Sequence, residues 1–253
     1  MMGRMTQADE GRWLPVTTTS KVARAQFEHG RAAAHHYQFE SALEHLDAAL
    51  AEDPAFVLAL LHRGGSADDA AQGRAFLDKA EANRHRATDD EGRMIDAFRA
   101  FLVDAEYERA IEILHELSAK YTADPYLPSY LGLRYYRNLQ RYEDAADQFR
   151  HALARDPGFA QAYNWLGYIA MDQGDHATAE AMFERYRDLA PDEPRPHDSL
   201  GVLFLRTGRH EAAAQQFERA LAQDARFEES RVKLARARAA QADALAREPR
   251  SRP

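Results

Sequence analysis

Residues 160–225 read AQAYNWLGYIAMDQGDHATAEAMFERYRDLAPDEPRPHDSLGVLFLRTGRHEAAAQQFERALAQDA, one pattern written twice at a spacing of 34 residues. Leu166 and Gly167 return as Leu200 and Gly201, Gly174 as Gly208, Ala179 as Ala213 and Phe183 as Phe217. Self-similarity at a fixed period marks a repeat array, in which each unit buries its apolar face against its neighbours. With Ala179 as the twentieth place of a 34-residue unit, small or apolar residues fall at places 17, 20, 24 and 27. Those steps of three, four and three lie on one face of a helix.

The same register extends outward. Phe39, Ala42, Leu46 and Ala49, stopped by Pro54, make one copy; Tyr107, Ala110, Leu114 and Leu117 make another, with the stop delayed to Pro125. Tyr142, Ala145, Phe149 and Ala152 before Pro157 follow, one residue out of strict register. His176, Ala179, Phe183 and Tyr186 before Pro191, then His210, Ala213, Phe217 and Ala220, complete five clear copies. Phe39 and Tyr107 are 68 residues apart, so a further, degenerate unit is expected between them. Its first helix should start near Phe56 and break at Gly64 and Gly65, and its second should run from about Asp68 to Arg86. The expected organisation is an extended or disordered leader over 1–20, with Ser20 as a helix N-cap and Trp13 and Leu14 against the first repeat. A repeat array then covers 21–225, with 54–90 degenerate, followed by a capping helix over 226–247 and a flexible tail over 248–253.

Laid out this way, the chain closely resembles the tetratricopeptide repeat family. The carriers are Trp165, Leu166, Gly167, Tyr168, Gly174, Ala179, Phe183 and Pro191, the parallel Leu200, Gly201, Gly208, Ala213 and Phe217, and Leu131, Gly132, Tyr135, Tyr142, Ala145 and Pro157. The resemblance covers roughly residues 21 to 247 and implies an all-α, right-handed superhelical solenoid of about six antiparallel helix pairs plus a C-terminal capping helix. Glycine inside a helix costs roughly 0.5–1 kcal/mol relative to alanine. Its recurrence at 132, 167 and 201 therefore calls for close approach of the second helix, with Ala145, Ala179 and Ala213 expected opposite and the phenylalanines filling the layer between repeats.

Composition excludes several chemistries. The net charge of −8 would repel a phosphate backbone, so no nucleic-acid partner is expected. The chain has no cysteine, and no apolar run is long enough to span a bilayer. Gly64-Gly65 has neither the lysine nor the strand context of a phosphate loop. His35 and His36, with His29 and His45 nearby, point about 100° apart on a helix and lack a carboxylate at metal-ligand spacing, so neither metal nor cofactor is expected. Ser129 and Ser199 have no nucleophile elbow around them. The expectation is a protein that is not an enzyme.

What the resemblance implies instead is a concave groove lined by places 2, 5, 9, 12 and 13 of each first helix. Carried over by position, these are Ser129, Leu133, Tyr136 and Arg137; Gln161, Asn164, Tyr168, Met171 and Asp172; and Arg195, Asp198, Val202, Leu205 and Arg206. Tyrosine, arginine and methionine are enriched in interface cores. The lysine and asparagine of the chaperone-tail clamp are absent at the corresponding pairs, Phe27 and Arg31, Asn164 and Tyr168, Asp198 and Val202. Residues 230–253 carry seven basic against two acidic residues, a local +5. The leading expectation is an adaptor or scaffold that binds a partner protein or peptide, and the alternatives are a regulatory module of an enzyme or transcription regulator and an exported envelope assembly factor. Methionines at 1, 2 and 5 leave the start open, so the expected address is cytoplasmic as written, or periplasmic if a leader lies upstream.

Overall fold

A computed structural model describes residues 12–35, 38–67 and 69–247. Among them, helices are paired in sequence. α1 (Lys21–His35) packs on α2 (Phe39–Glu52), α3 (Val57–Gly65) on α4 (Ala70–Ala82), and α5 (Asp89–Leu102) on α6 (Tyr107–Lys120). α7 (Tyr126–Arg134) packs on α8 (Tyr142–Arg155), α9 (Ala160–Asp172) on α10 (His176–Leu189), and α11 (Pro194–Arg206) on α12 (His210–Gln223). α13 (Glu228–Arg247) covers α12. The described residues hold no strand, and the fold is an all-α helical-repeat solenoid. Contacts cluster it into two compact units, one ending at Phe159 and the other beginning at Ala160.

The turn inside each pair explains both the glycines and the slipped register. Gly174 (φ 82°) and Gly208 (φ 77°) take the left-handed conformation that ends a first helix. The N–H of Asp175 donates to Ala170 O at 2.8 Å and that of Arg209 to Phe204 O at 2.8 Å, satisfying carbonyls the helix leaves open. In the pair before them this place is taken by Gln140 (φ 52°), and one pair earlier by Ala105 (φ 56°). α7 also ends in a π-turn, Tyr135–Leu139, after which Arg141 N donates to Tyr135 O at 3.0 Å. The turn absorbs one extra residue, so Gly132 and Gly167 are 35 apart while Gly167 and Gly201 are 34 apart.

The recurring packing contact differs from the sequence expectation. A Cβ on Gly167 would lie 2.4 Å from Phe183 Cε1, and one on Gly201 2.5 Å from Phe217 Cε1; at Gly132 the nearest Phe149 ring atoms are 2.9 Å away. The phenylalanine ring of the second helix lies against the glycine of its own first helix, so the ring, not the opposite alanine, requires the missing side chain. These rings are fully buried, and each contributes roughly 2–3 kcal/mol through apolar burial.

The degenerate pair is shorter than expected. α4 closes at Ala82, because the Asn83 side chain caps it by donating to Lys79 O at 2.8 Å, and a 3₁₀ turn, Arg84–Arg86, follows. Its helices approach through two glycines: a Cβ on Gly64 would sit 3.1 Å from Gly73 O. Asp69 caps α4 by accepting from Gln72 N at 2.8 Å.

The leader does more than touch the first repeat. Residues 12–20 run as an extended strap. Thr18 Oγ1 donates to Asp53 at 2.7 Å, Thr17 N to Glu91 at 2.8 Å, Leu14 N to Asp124, and Arg12 O accepts from Ala123 N at 3.0 Å. All three carboxylates are buried, and the strap adds a donor to those they have within the repeats: Ala55 N and Arg86 on Asp53, Thr88 on Glu91, and Tyr126 N on Asp124. Glu91 also completes a capping box with Thr88 at the start of α5.

Candidate protein-binding faces

In the unit beginning at Ala160, the first helices α9 and α11 carry the expected groove positions, and the terminal α13 packs beside α11. Asn164 and Asp198 are buried at 5% exposure and Met171 at 4%. Asn164 Oδ1 accepts from Ser199 Oγ at 2.9 Å, and the Tyr168 hydroxyl lies 3.3 Å from the same Ser199 oxygen. Burial raises the Tyr168 pKa, partly offset by its Ser199 contact. One helix on, Asp198 accepts from Ser230 Oγ at 2.5 Å and from Lys233 Nζ at 2.6 Å. Polar side chains thus lock α9 to α11 and α11 to α13. Ser230 and Lys233 were not among the residues expected from sequence; the signal was their offset of 32 and 35 from Asp198.

Around these locked positions lies a half-exposed lining. Tyr168, Val202 and Leu205 pack by one side on the core and present the other. Gln161 and Arg195 are half-buried, with the Arg195 guanidinium 5.3 Å from the Phe227 ring. Asp172 and Arg206 form an ion pair at 2.8 Å. With Lys233 on Asp198, this makes two ion pairs along the face.

In the unit ending at Phe159, Ser129 is buried, Leu133 and Tyr136 are half-buried and Arg137 is exposed; Tyr136 lies 5.6 Å from the Tyr142 ring. The first helices here fill the space between them. The Tyr130 hydroxyl approaches His62 Nε2 at 3.0 Å, Phe27 meets the His62 ring edge-on at 5.0 Å, and the buried Arg31 lies over Tyr126 at 4.4 Å while bonding Glu28 at 2.6 Å. Burial, with Arg31 nearby, pushes His62 down to about 3, so it is neutral at physiological pH. Arg134, also unanticipated from sequence, lies over Phe101 at 3.4 Å.

His29 and His45 face each other at 5.3 Å. No group of three potential metal ligands comes together among the described residues; His36 lies outside them. No helix among them is long and apolar enough to cross a membrane.

A profile of the tetratricopeptide repeat matches residues 130–194 and 199–227. The matched stretch carries tetratricopeptide repeats. The matched stretch of this repeat protein contains Gly132, Gly167, Gly201 and their three ring partners, the contacts that set the helix pairs. Two crystal structures of MamA are similar to it, at 19% and 20% identity, covering 83% and 79% of this chain and 95% and 96% of theirs, with TM-scores of 0.44 and 0.46. The crystal structure of the APC/C hetero-tetramer Cut9-Hcn1 aligns with a TM-score of 0.56 at 17% identity, covering 85% of this chain and 42% of that one. This likeness concerns the fold. A search of curated proteins found no match. Tetratricopeptide repeats are in general noncatalytic interaction scaffolds, and protein partners are what such a fold serves.

Proposed function

We propose that this repeat protein is a noncatalytic adaptor that holds a segment of a partner protein on the face of α9, α11 and α13. The observation that carries the reading is the combination of a locked polar ladder with a half-exposed lining. Asn164, Ser199, Asp198, Ser230 and Lys233 satisfy one another, while Tyr168, Val202 and Leu205 keep one side free. A preordered surface loses less conformational entropy when a partner docks, and tyrosine with aliphatic neighbours is the composition of an interface centre. The positions Gln161, Arg195, Asp172 and Arg206 form a polar rim around it. Ser129, Leu133, Tyr136 and Arg137 are proposed as a second contact set within the preceding unit.

The reading is tested by placing a photo-crosslinking residue at Leu205 and at Tyr136 and identifying what is captured. A partner that crosslinks at Leu205 and is lost on Tyr168→Ala and Val202→Asp supports it. Capture that is unchanged by these substitutions, or that occurs through the opposite helices α10 and α12, overturns it.

A further inference from the structure

Among the described residues, the exposed large apolar side chains are Val22, Leu102 and Val232. Val22 lies on α1, the first described helix, at 53% exposure, and Val232 on α13, the last, at 64%. A single exposed valine is ordinary, but these two hold places that meet inside the array. Val22 stands 34 residues before Phe56, which is buried against Phe27 with ring centroids 4.9 Å apart. Val232 stands 205 residues beyond Phe27, six repeats plus the extra residue absorbed at Tyr135–Leu139. It also stands 34 beyond Asp198 and 68 beyond Asn164, which are buried and bonded to α13 and α11 respectively. A helix that closes an array carries a polar outer face; α13 presents a valine there instead.

We propose that these two faces bind each other between copies of the chain: α1 of one copy stacks on α13 of another, with Val22 against Val232 as Phe56 lies against Phe27. The charges at the same places agree with this. Arg236 stands 68 beyond Tyr168, whose hydroxyl lies 3.3 Å from Ser199 Oγ. The place of Ser199 is held in α1 by Glu28, 171 residues earlier, so stacking brings Arg236 to Glu28. Glu28 pairs with Arg31 inside its own helix and remains 31% exposed. Glu229 stands 34 beyond Arg195, whose guanidinium lies 5.3 Å from the Phe227 ring, and the place of Phe227 is that of Val22. Glu229 therefore comes beside Val22 and its neighbour Lys21. Lys21, Glu229 and Arg236 are exposed and make no ion pair among the described residues. Because the two faces differ, each bound pair keeps one free face of each kind, and assembly proceeds beyond the dimer. Two helix faces make a small interface, so the association is reversible and rises with concentration. This contact goes beyond the adaptor reading and stands or falls apart from it.

The experiment is sedimentation velocity on the full chain over about 10 μM to 1 mM, where the sedimentation coefficient should rise with concentration. Val22→Glu and Val232→Glu both change exposed side chains, and each should raise the dissociation constant at least about tenfold. The deciding sample is their equimolar mixture. Each variant keeps the face that the other lacks, so the mixture should form dimers and nothing larger. Association lost on Val232→Glu but kept on Val22→Glu would mean that α13 pairs with α13, and would overturn the proposal. A mixture that stays monomeric, or a parent chain that is monomeric throughout the range, would overturn it as well. A second measurement uses the absence of cysteine from the chain. Val22→Cys and Val232→Cys chains, mixed and oxidised, should give the mixed disulfide in at least about tenfold excess over either like pair. An excess of a like pair would assign the contact to two identical faces and overturn the proposal.

Discussion

The two units solve one packing problem differently. From Ala160 onward the decisive contacts are local: Gly167 and Phe183, or Gly201 and Phe217, lie 16 residues apart and meet within a single helix pair. Before Phe159, much of the interior joins first helices far apart in sequence, with His62 touching Phe27 and Tyr130, and Arg31 touching Tyr126. Local contacts repeat, because every pair poses the same steric problem. Distant contacts do not, because each is solved once, with whichever side chains the superposed helices bring together.

The largest expected effect tests the local half of that contrast. Gly167→Leu forces a side chain into the space of the Phe183 ring and should destabilise the chain by about 3 kcal/mol, whereas Gly132→Ala, where the ring is already further away, should cost only about 1 kcal/mol. Denaturant melts of the two would measure this, and equal losses would remove the graded contact as the explanation.

The distant half is expected to show in acid. The folded His62 value of about 3 lies below that of an unfolded histidine. As pH falls below about 6.5 the unfolded chain takes up a proton that the folded chain refuses, so stability present above that pH is lost at up to about 1.4 kcal/mol per pH unit. Comparing His62→Gln with the parent between about pH 6.5 and 4.5 isolates this slope from the carboxylates. Identical pH profiles would show that His62 takes up its proton equally in the folded and unfolded chain, against the lowered value.

The smallest effect concerns the turn. Gln140→Gly should stabilise by about 1 kcal/mol, since a side chain there is held at positive φ without need. The same change at Ala105 should act similarly, while Gly174→Ala should do the reverse; differential scanning calorimetry would resolve the three. A loss on Gln140→Gly would indicate that the Gln140 side chain holds the π-turn.

How far the residues could be read follows the same division. The periodic Ala179, Phe183, Gly167 set exposed the helix pairs and the repeat family, because those residues answer to neighbours at fixed offsets. The direction of the glycine contact was misassigned to alanine, since an offset gives the face but not the reach of a ring. Of the groove positions, Tyr168, Val202 and Leu205 stand half-exposed on their face, whereas Asn164, Met171, Ser129 and Asp198 are buried. Position in the repeat named them all alike, and burial separates them.

What the sequence by itself determined is the helical-repeat class, the pairing of helices and the places of the turns, because each depends on steric demands within about 34 residues. Only the tertiary structure decided that the strap at 12–20 reaches Asp53, Glu91 and Asp124, that Ser230 and Lys233 hold Asp198, and that Arg134 lies over Phe101. Those outcomes depend on which polar groups are buried together, and burial is a property of stacked helices that no single repeat possesses.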